Sequence, residues 1–209
     1  MRLYHHPRSL NARRAAMTAV HLRSPVELVL VDLQKGEQRQ PQFLQLNPNH
    51  KVPVLEDDGF VLWESHAIMQ YLADKAPRQT VYPAETRARA DVNRWLFWSA
   101  QHFSPAVAIL NWEHWVKGLI GLGAADPAEI RRGEQLVREL GGILDAHLAS
   151  REWVCGGGLS LADFALAAPL ASTVPAKLPV TELNHLQRWF ARVQALEAWQ
   201  KTEPPPIPR

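Results

Sequence analysis

Every convincing strand signal in this 209-residue chain falls before Pro77, and every long stretch after it carries only helical periodicity. A small mixed sheet can be built from the first part alone, so the chain divides into an α/β domain and an all-helical one. Arg2 to His5 reads as a short strand. Ser9 to His21 follows as a helix with Ala12, Ala15, Ala16, Ala19 and Val20 at helical spacing behind a good N-cap residue. Val26 to Val31 is a second strand, which makes β-α-β with a right-handed crossover to a parallel neighbour. Phe43, Leu44 and Leu46 form a short helix halted at Asn47-Pro48, because the residue before proline is pushed out of the helical region. Val52 to Leu55 and Phe60 to Trp63 are two strands joined through Asp58-Gly59, a hairpin signal, and a helix runs from Glu64 to near Pro77.

The order is β-α-β-α-β-β-α over residues 1–76, the order of the thioredoxin-like fold. Residues 77–86, with two prolines and no periodicity, read as a linker. Residues 87–209 read as an all-helical domain: a long helix from Arg87 to about Gly118 with a kink at Pro105, a helix from Pro127 to Ser150, one beginning after Gly156-Gly157-Gly158, and one or two between Glu182 and Lys201. The segment Pro204-Pro205-Pro206 cannot be helical.

Composition narrows the class. The 23 Lys and Arg against 21 Asp and Glu give a formal charge of +2, and the basic residues are scattered, so nucleic acid is not an expected partner. No stretch approaches the length of a membrane span and the opening residues do not resemble a secretion signal, so the expected setting is cytoplasmic, with no membrane partner. The single cysteine, Cys155, rules out an internal disulfide, a C-x-x-C redox pair and a cysteine-rich metal site, so no metal is expected. Sulfur chemistry, if any, must come largely from a ligand.

The sharpest local motif is Leu159-Ser160-Leu161-Ala162-Asp163-Phe164, a capping box flanked by a hydrophobic staple, followed by a helix apolar on every side and therefore buried. Together with Leu3-Tyr4 to Pro7-Arg8-Ser9, Asn47 through Leu55, and Trp63-Glu64-Ser65, this ordered set resembles the glutathione S-transferase superfamily, in its bacterial-like, serine-type form, over essentially the whole chain. The resemblance implies a site for glutathione as co-substrate along one edge of the first domain. Pro53, which is cis in this family, would free the Val52 amide and carbonyl to pair with the cysteinyl backbone as an added strand does. Glu64 would meet the ligand's amine, and Ser65 at a helix start its γ-glutamyl carboxylate. Lys51 and His50 lie where the glycyl carboxylate is held, although His50 occupies a place more usual for glycine.

Catalysis needs the thiolate, and the unperturbed thiol pKa is about 8.5. Lowering it by about 2 units takes about 2.7 kcal/mol. One hydrogen bond to a charged group supplies about 1.5–3 kcal/mol. Ser9, after the first strand, is the expected donor. Asn11 is an alternative and Tyr4, inside the strand, a weaker one. A small hydrophobic electrophile is expected between the domains, against the helix bearing Trp95, Trp98, Gln101, His102 and Phe103, although such spacing also suits core residues. Cys155 reads as a small buried hydrophobe. The implied activity is glutathione transfer; isomerase, dehalogenase and peroxidase reactions use the same thiolate. A non-catalytic carrier or adaptor is the reading from another class. A disulfide reductase is disfavoured by Ser9 standing where that chemistry needs cysteine. Relatives are usually two-fold dimers, so a homodimer is expected.

Overall fold

The computed structural model describes residues 1–205. Contacts divide the chain into two compact units. The first is Met1–Tyr82 together with the segment from Ala195 onward, and the second is Pro83–Gln194.

The first unit holds a four-stranded sheet in the order β2-β1-β3-β4, built from β1 (Arg2–His5), β2 (Glu27–Leu30), β3 (Val54–Asp57) and β4 (Phe60–Trp63). β1 pairs parallel with β2, which the intervening helix α1 (Leu10–His21) makes sterically feasible, and antiparallel with β3. β3 and β4 form a hairpin whose two-residue loop, Asp58-Gly59, has φ of 48° and 86°, the pair of positive values that a type I′ turn requires. Alternation of side chains across the pleat sends Leu3 and Leu55 to one face, where they pack with Ala15, Ala16, Ala19, Ile68 and Leu72 of α1 and α3 (Ser65–Lys75). The other face carries Val54, with Val31, Phe43 and Val52. Phe43 comes from α2 (Pro41–Leu46), which follows a 3₁₀ turn at Glu37–Arg39 and ends with Asn47 in an extended conformation before Pro48, as the proline dictates.

The residues expected to link the domains are anchored as far as Tyr82. The Gln79 side chain bonds both the amide (2.8 Å) and the carbonyl (2.7 Å) of Tyr82, and Gln70 donates to its hydroxyl at 3.0 Å. The segment from Ala195 onward, expected within the helical domain, instead groups with the first unit. It carries the short helix α10 (Glu197–Gln200).

The second unit contains α4 (Thr86–Trp98), α5 (Ser104–Asn111), α6 (Lys117–Leu119), α7 (Pro127–Leu148), α8 (Leu161–Leu170) and α9 (Asn184–Gln194). The first three form one long helix interrupted by π-turns at Ser99–Phe103 and Trp112–Val116. The first π-turn accommodates Pro105, whose missing N–H would otherwise break the ladder, and the Ser99 hydroxyl secures it by donating to the Ala165 carbonyl at 3.1 Å. α8 is buried at every one of its positions. At its start the Asp163 carboxylate accepts from the Ser160 amide (2.8 Å) and hydroxyl (2.9 Å) through one oxygen, and from the Val154 amide (2.9 Å) and Trp189 Nε1 (2.8 Å) through the other. Burial pushes the Asp163 pKa up while these four donors pull against it. No helix among the described residues is long and apolar enough to cross a membrane.

Candidate active site

After β1 the chain turns through His6-Pro7-Arg8-Ser9, closed by the Ser9 amide donating to the His6 carbonyl at 2.9 Å and the Arg8 amide reaching His6 Nδ1 at 3.3 Å. Ser9 is extended (φ −81°, ψ 113°) and caps α1, its oxygen accepting from the Ala12 amide at 3.2 Å. A hydroxyl that accepts in a cap still has its proton to give. Ser9 is half-buried and Asn11, in the first turn, is exposed. Tyr4 is otherwise engaged: its hydroxyl donates to Glu56 Oε2 at 2.9 Å, and burial, then that bond and the Glu56 charge, raise its pKa.

The turn before β3 is built by Asn47. Its buried side chain donates to the Lys51 carbonyl at 2.7 Å and accepts from the Asn49 amide and side chain, both at 3.0 Å. His50 has φ of 46°, which explains why glycine suits the position, and Lys51 is exposed. The Val52–Pro53 peptide is cis. The β1–β3 ladder ends at Tyr4 opposite Val54, so Val52 lies beyond its last rung.

Glu64 joins β4 to α3 with φ of 73° and ψ of 110°, a backbone region rarely occupied by side-chain-bearing residues and worth about 1–3 kcal/mol of strain. It exposes its side chain, while Ser65 opens the helix from a buried position. Beneath this junction the buried Arg14 guanidinium of α1 lies 2.8 Å from His66 Nε2. Burial lowers the Arg14 pKa to about 10, against the opposing pull of the Glu64 charge. Burial and the Arg14 charge together lower His66 to about 3, so at neutral pH the imidazole is uncharged and the guanidinium charged.

Register shows how these pieces relate. Tyr4 pairs with Val54, and Val54 with Trp63, so β1 leaves the sheet, β3 enters it and β4 leaves it at one end. Ser9, Lys51-Val52-Pro53 and Glu64-Ser65 all stem from that end. Two of the segments, at Ser9 and Ser65, are helix starts, where backbone N–H groups and the helix dipole favour an anion. The arrangement offers strand-like backbone donors and acceptors, a hydroxyl, an exposed carboxylate and an exposed ammonium, a set suited to an extended zwitterionic peptide.

Three residues that help shape this end were not assigned a role from sequence: Asn47, Arg13 and Arg14. The two arginines are buried although they sit side by side in an alanine-rich helix with no acidic residue. That missing i±4 partner was the available signal, because an arginine without a local counter-charge is free to pair through the fold.

Elsewhere, Trp95 and Phe103 are core residues of the second unit. Trp98 lies edge-on to Trp95 (5.3 Å) and stacks on Phe103 (5.7 Å), and Gln101 and His102 are exposed. Cys155 is buried, and desolvation pushes its thiol up to about 12. No cluster of metal-ligating side chains occurs among the described residues. A cavity of about 720 Å³ in the first unit, between α1, β2 and α10, shares no residue with the sheet end described above.

Family models for the glutathione S-transferase N-terminal domain and C-terminal domain match residues 1–74 and 127–192. The chain is 36% identical over 207 residues to glutathione S-transferase 3 of Zea mays, covering 97% of this chain and 92% of that protein. It is 30% identical over 200 residues to glutathione S-transferase F10 of Arabidopsis thaliana, covering 93% of each. Among solved structures, apo glutathione S-transferase III superposes with a TM-score of 0.85 at 33% identity over 100% of this chain and 99% of that one. A delta-class glutathione transferase of Nilaparvata lugens gives 0.83 at 28% identity, over 97% and 94%.

Proposed function

This chain belongs to the glutathione S-transferase superfamily, and on that footing we propose that it binds glutathione at the common end of its sheet and ionises the thiol with Ser9 for attack on a small hydrophobic electrophile. The observation that carries the reading is the register Tyr4–Val54–Trp63, from which Ser9, Val52 and Glu64 all depart in one direction.

Each ligand group has a partner by chemistry. The Val52 amide and carbonyl pair with the cysteinyl backbone, Glu64 with the ammonium, and Ser65 with the helix start behind it takes the γ-glutamyl carboxylate. Lys51, with His50 beside it, meets the glycyl carboxylate. The Ser9 hydroxyl, already accepting from Ala12, donates its proton in a hydrogen bond to sulfur and so favours the anion; the Asn11 amide is the alternative donor. Thiol ionisation releases its proton to solvent. The sulfur lone pair then forms the S–C bond as the electrophile's leaving group departs with its electron pair, or as a conjugated acceptor takes up charge and is protonated from water. Glutathione is consumed, which makes it a co-substrate.

Thiolate absorbance of the glutathione complex, followed against pH, tests this. The bound thiol should titrate about 1–2 units below 8.5. Ser9→Gly, which keeps most of a helix cap, should return it toward 8.5 and reduce kcat about 10- to 100-fold below that pH. Failure of glutathione resin to retain the protein would favour an adaptor. Retention with an unshifted thiol would leave a carrier.

The exposed Phe60 and Trp63 on edge strand β4 support a homodimer, which light scattering would show as twice the 23.6 kDa chain mass.

A further inference from the structure

The segment from Ala195 onward does more than return to the first unit: it grips that unit on both sides of Ser9. Ahead of Ser9, Arg8 donates to the Pro205 carbonyl at 2.9 Å. Behind it, the Arg13 guanidinium lies 3.8 Å over the Trp199 ring and donates to the Trp199 carbonyl at 3.2 Å. Both partners are buried, Arg13 at 5% exposure and Trp199 at 3%. Trp199 Nε1 in turn donates to Glu203 Oε1 at 3.2 Å, and the Glu203 charge favours the Arg13 cation that burial opposes. Ser9 lies between the two anchors, and the turn that leads into it contains Pro7, which has no N–H to donate. Besides its own bonds to His6, that turn is held from outside by what fixes Arg8 and the first turn of α1.

We infer that residues 195–205 form a strap that fixes the direction of the Ser9 hydroxyl, with Trp199, Glu203 and the Pro205 carbonyl acting, through Arg13 and Arg8, as positioning groups for the thiolate. The inference rests on the reading of Ser9 as the sulfur's partner. A directed hydrogen bond weakens steeply with misalignment, so a looser turn lowers thiolate stabilisation without removing any group that touches glutathione.

Truncation after Lys201 removes Glu203 and Pro205 but keeps Trp199, and Arg8→Met releases the forward anchor in the full-length chain. In both, the pKa of bound glutathione should rise by about half to one unit, and kcat below the free thiol's pKa should fall about three- to tenfold. KM for glutathione should change less than about twofold, since the binding groups are untouched. Arg8→Lys, which keeps a cationic donor, should restore part of the shift. Ser9→Gly, titrated alongside, separates the failures. If it leaves the thiol unmoved, the Ser9 reading and the strap fall together. If it raises the thiol pKa while folded Arg8→Met and truncated proteins match the parent, the strap alone is overturned.

Discussion

The Asn47 side chain donates its Nδ2 to the Lys51 carbonyl at 2.7 Å, bridging the ends of the turn that leads into Val52. The same side chain accepts two bonds from Asn49, so one buried amide organises the whole approach to the cis proline. Asn47→Ala is expected to lower unfolding free energy by about 1–3 kcal/mol, the penalty for leaving buried polar groups unpaired. Glutathione affinity should weaken several-fold as Lys51 and Val52 lose their fixed placement. Denaturant unfolding and titration calorimetry check the two effects separately.

Asp163 accepts from four donors, and no neutral side chain of its shape can do so. In Asp163→Asn one oxygen becomes an NH₂ that must face either the Val154 and Trp189 N–H groups or the Ser160 amide and hydroxyl. Donor then opposes donor in a fully buried site. The variant should lose more than about 2 kcal/mol in urea unfolding, with greater loss of tryptophan signal cooperativity than an apolar-to-alanine change on the surface.

His66 carries a pH signature. Its folded pKa of about 3 lies below the ordinary 6.5, so between those values the folded protein binds fewer protons than the unfolded chain. Stability therefore rises with pH across that window and is lost as pH falls through it, with an upper slope of about 1.4 kcal/mol per pH unit for one proton. A protonated imidazole there would sit beside the buried Arg14 cation, with Glu64 the nearby opposing charge. Urea midpoints measured from pH 7 to 4 should fall less steeply in His66→Gln than in the parent.

Cys155 should be inert in the native state. A thiol pushed up to about 12 is thiolate at only about one part in ten thousand at pH 8, against about a quarter for an unperturbed one. Alkylation by iodoacetamide at pH 8 should be about two-thousandfold slower than in denaturant, and a native-state modification as fast as the unfolded control would contradict the burial described.

What could be read in advance follows from which interactions are local. Asp58-Gly59, the Ser9 cap and the apolar run of α8 are set by neighbouring residues, and each takes the conformation its sequence announces. Pro105 announced a disturbance, but its form, a π-turn held by Ser99 to Ala165, depends on a helix 60 residues away. Arg13 and Arg14 look like ordinary helix surface until Trp199 and His66 arrive from elsewhere in the chain. Residues 195–200 have a helical pattern that is the same whichever unit they join, so local periodicity carries no information about their destination. For the candidate site, Tyr4 illustrates the same limit: only the fold reveals that Glu56 occupies its hydroxyl.

Because Arg13 is stacked beneath Trp199, the N-terminal unit is discontinuous in sequence. Synthesis must pass through all of Pro83–Gln194 before it reaches the piece that seals the unit. Until then a nascent α1 presents a guanidinium with its aromatic cover missing, and a fragment cut at Tyr82 would carry that defect permanently. A proteolytic nick between Gln194 and Trp199 thus acts on the unit that holds α1.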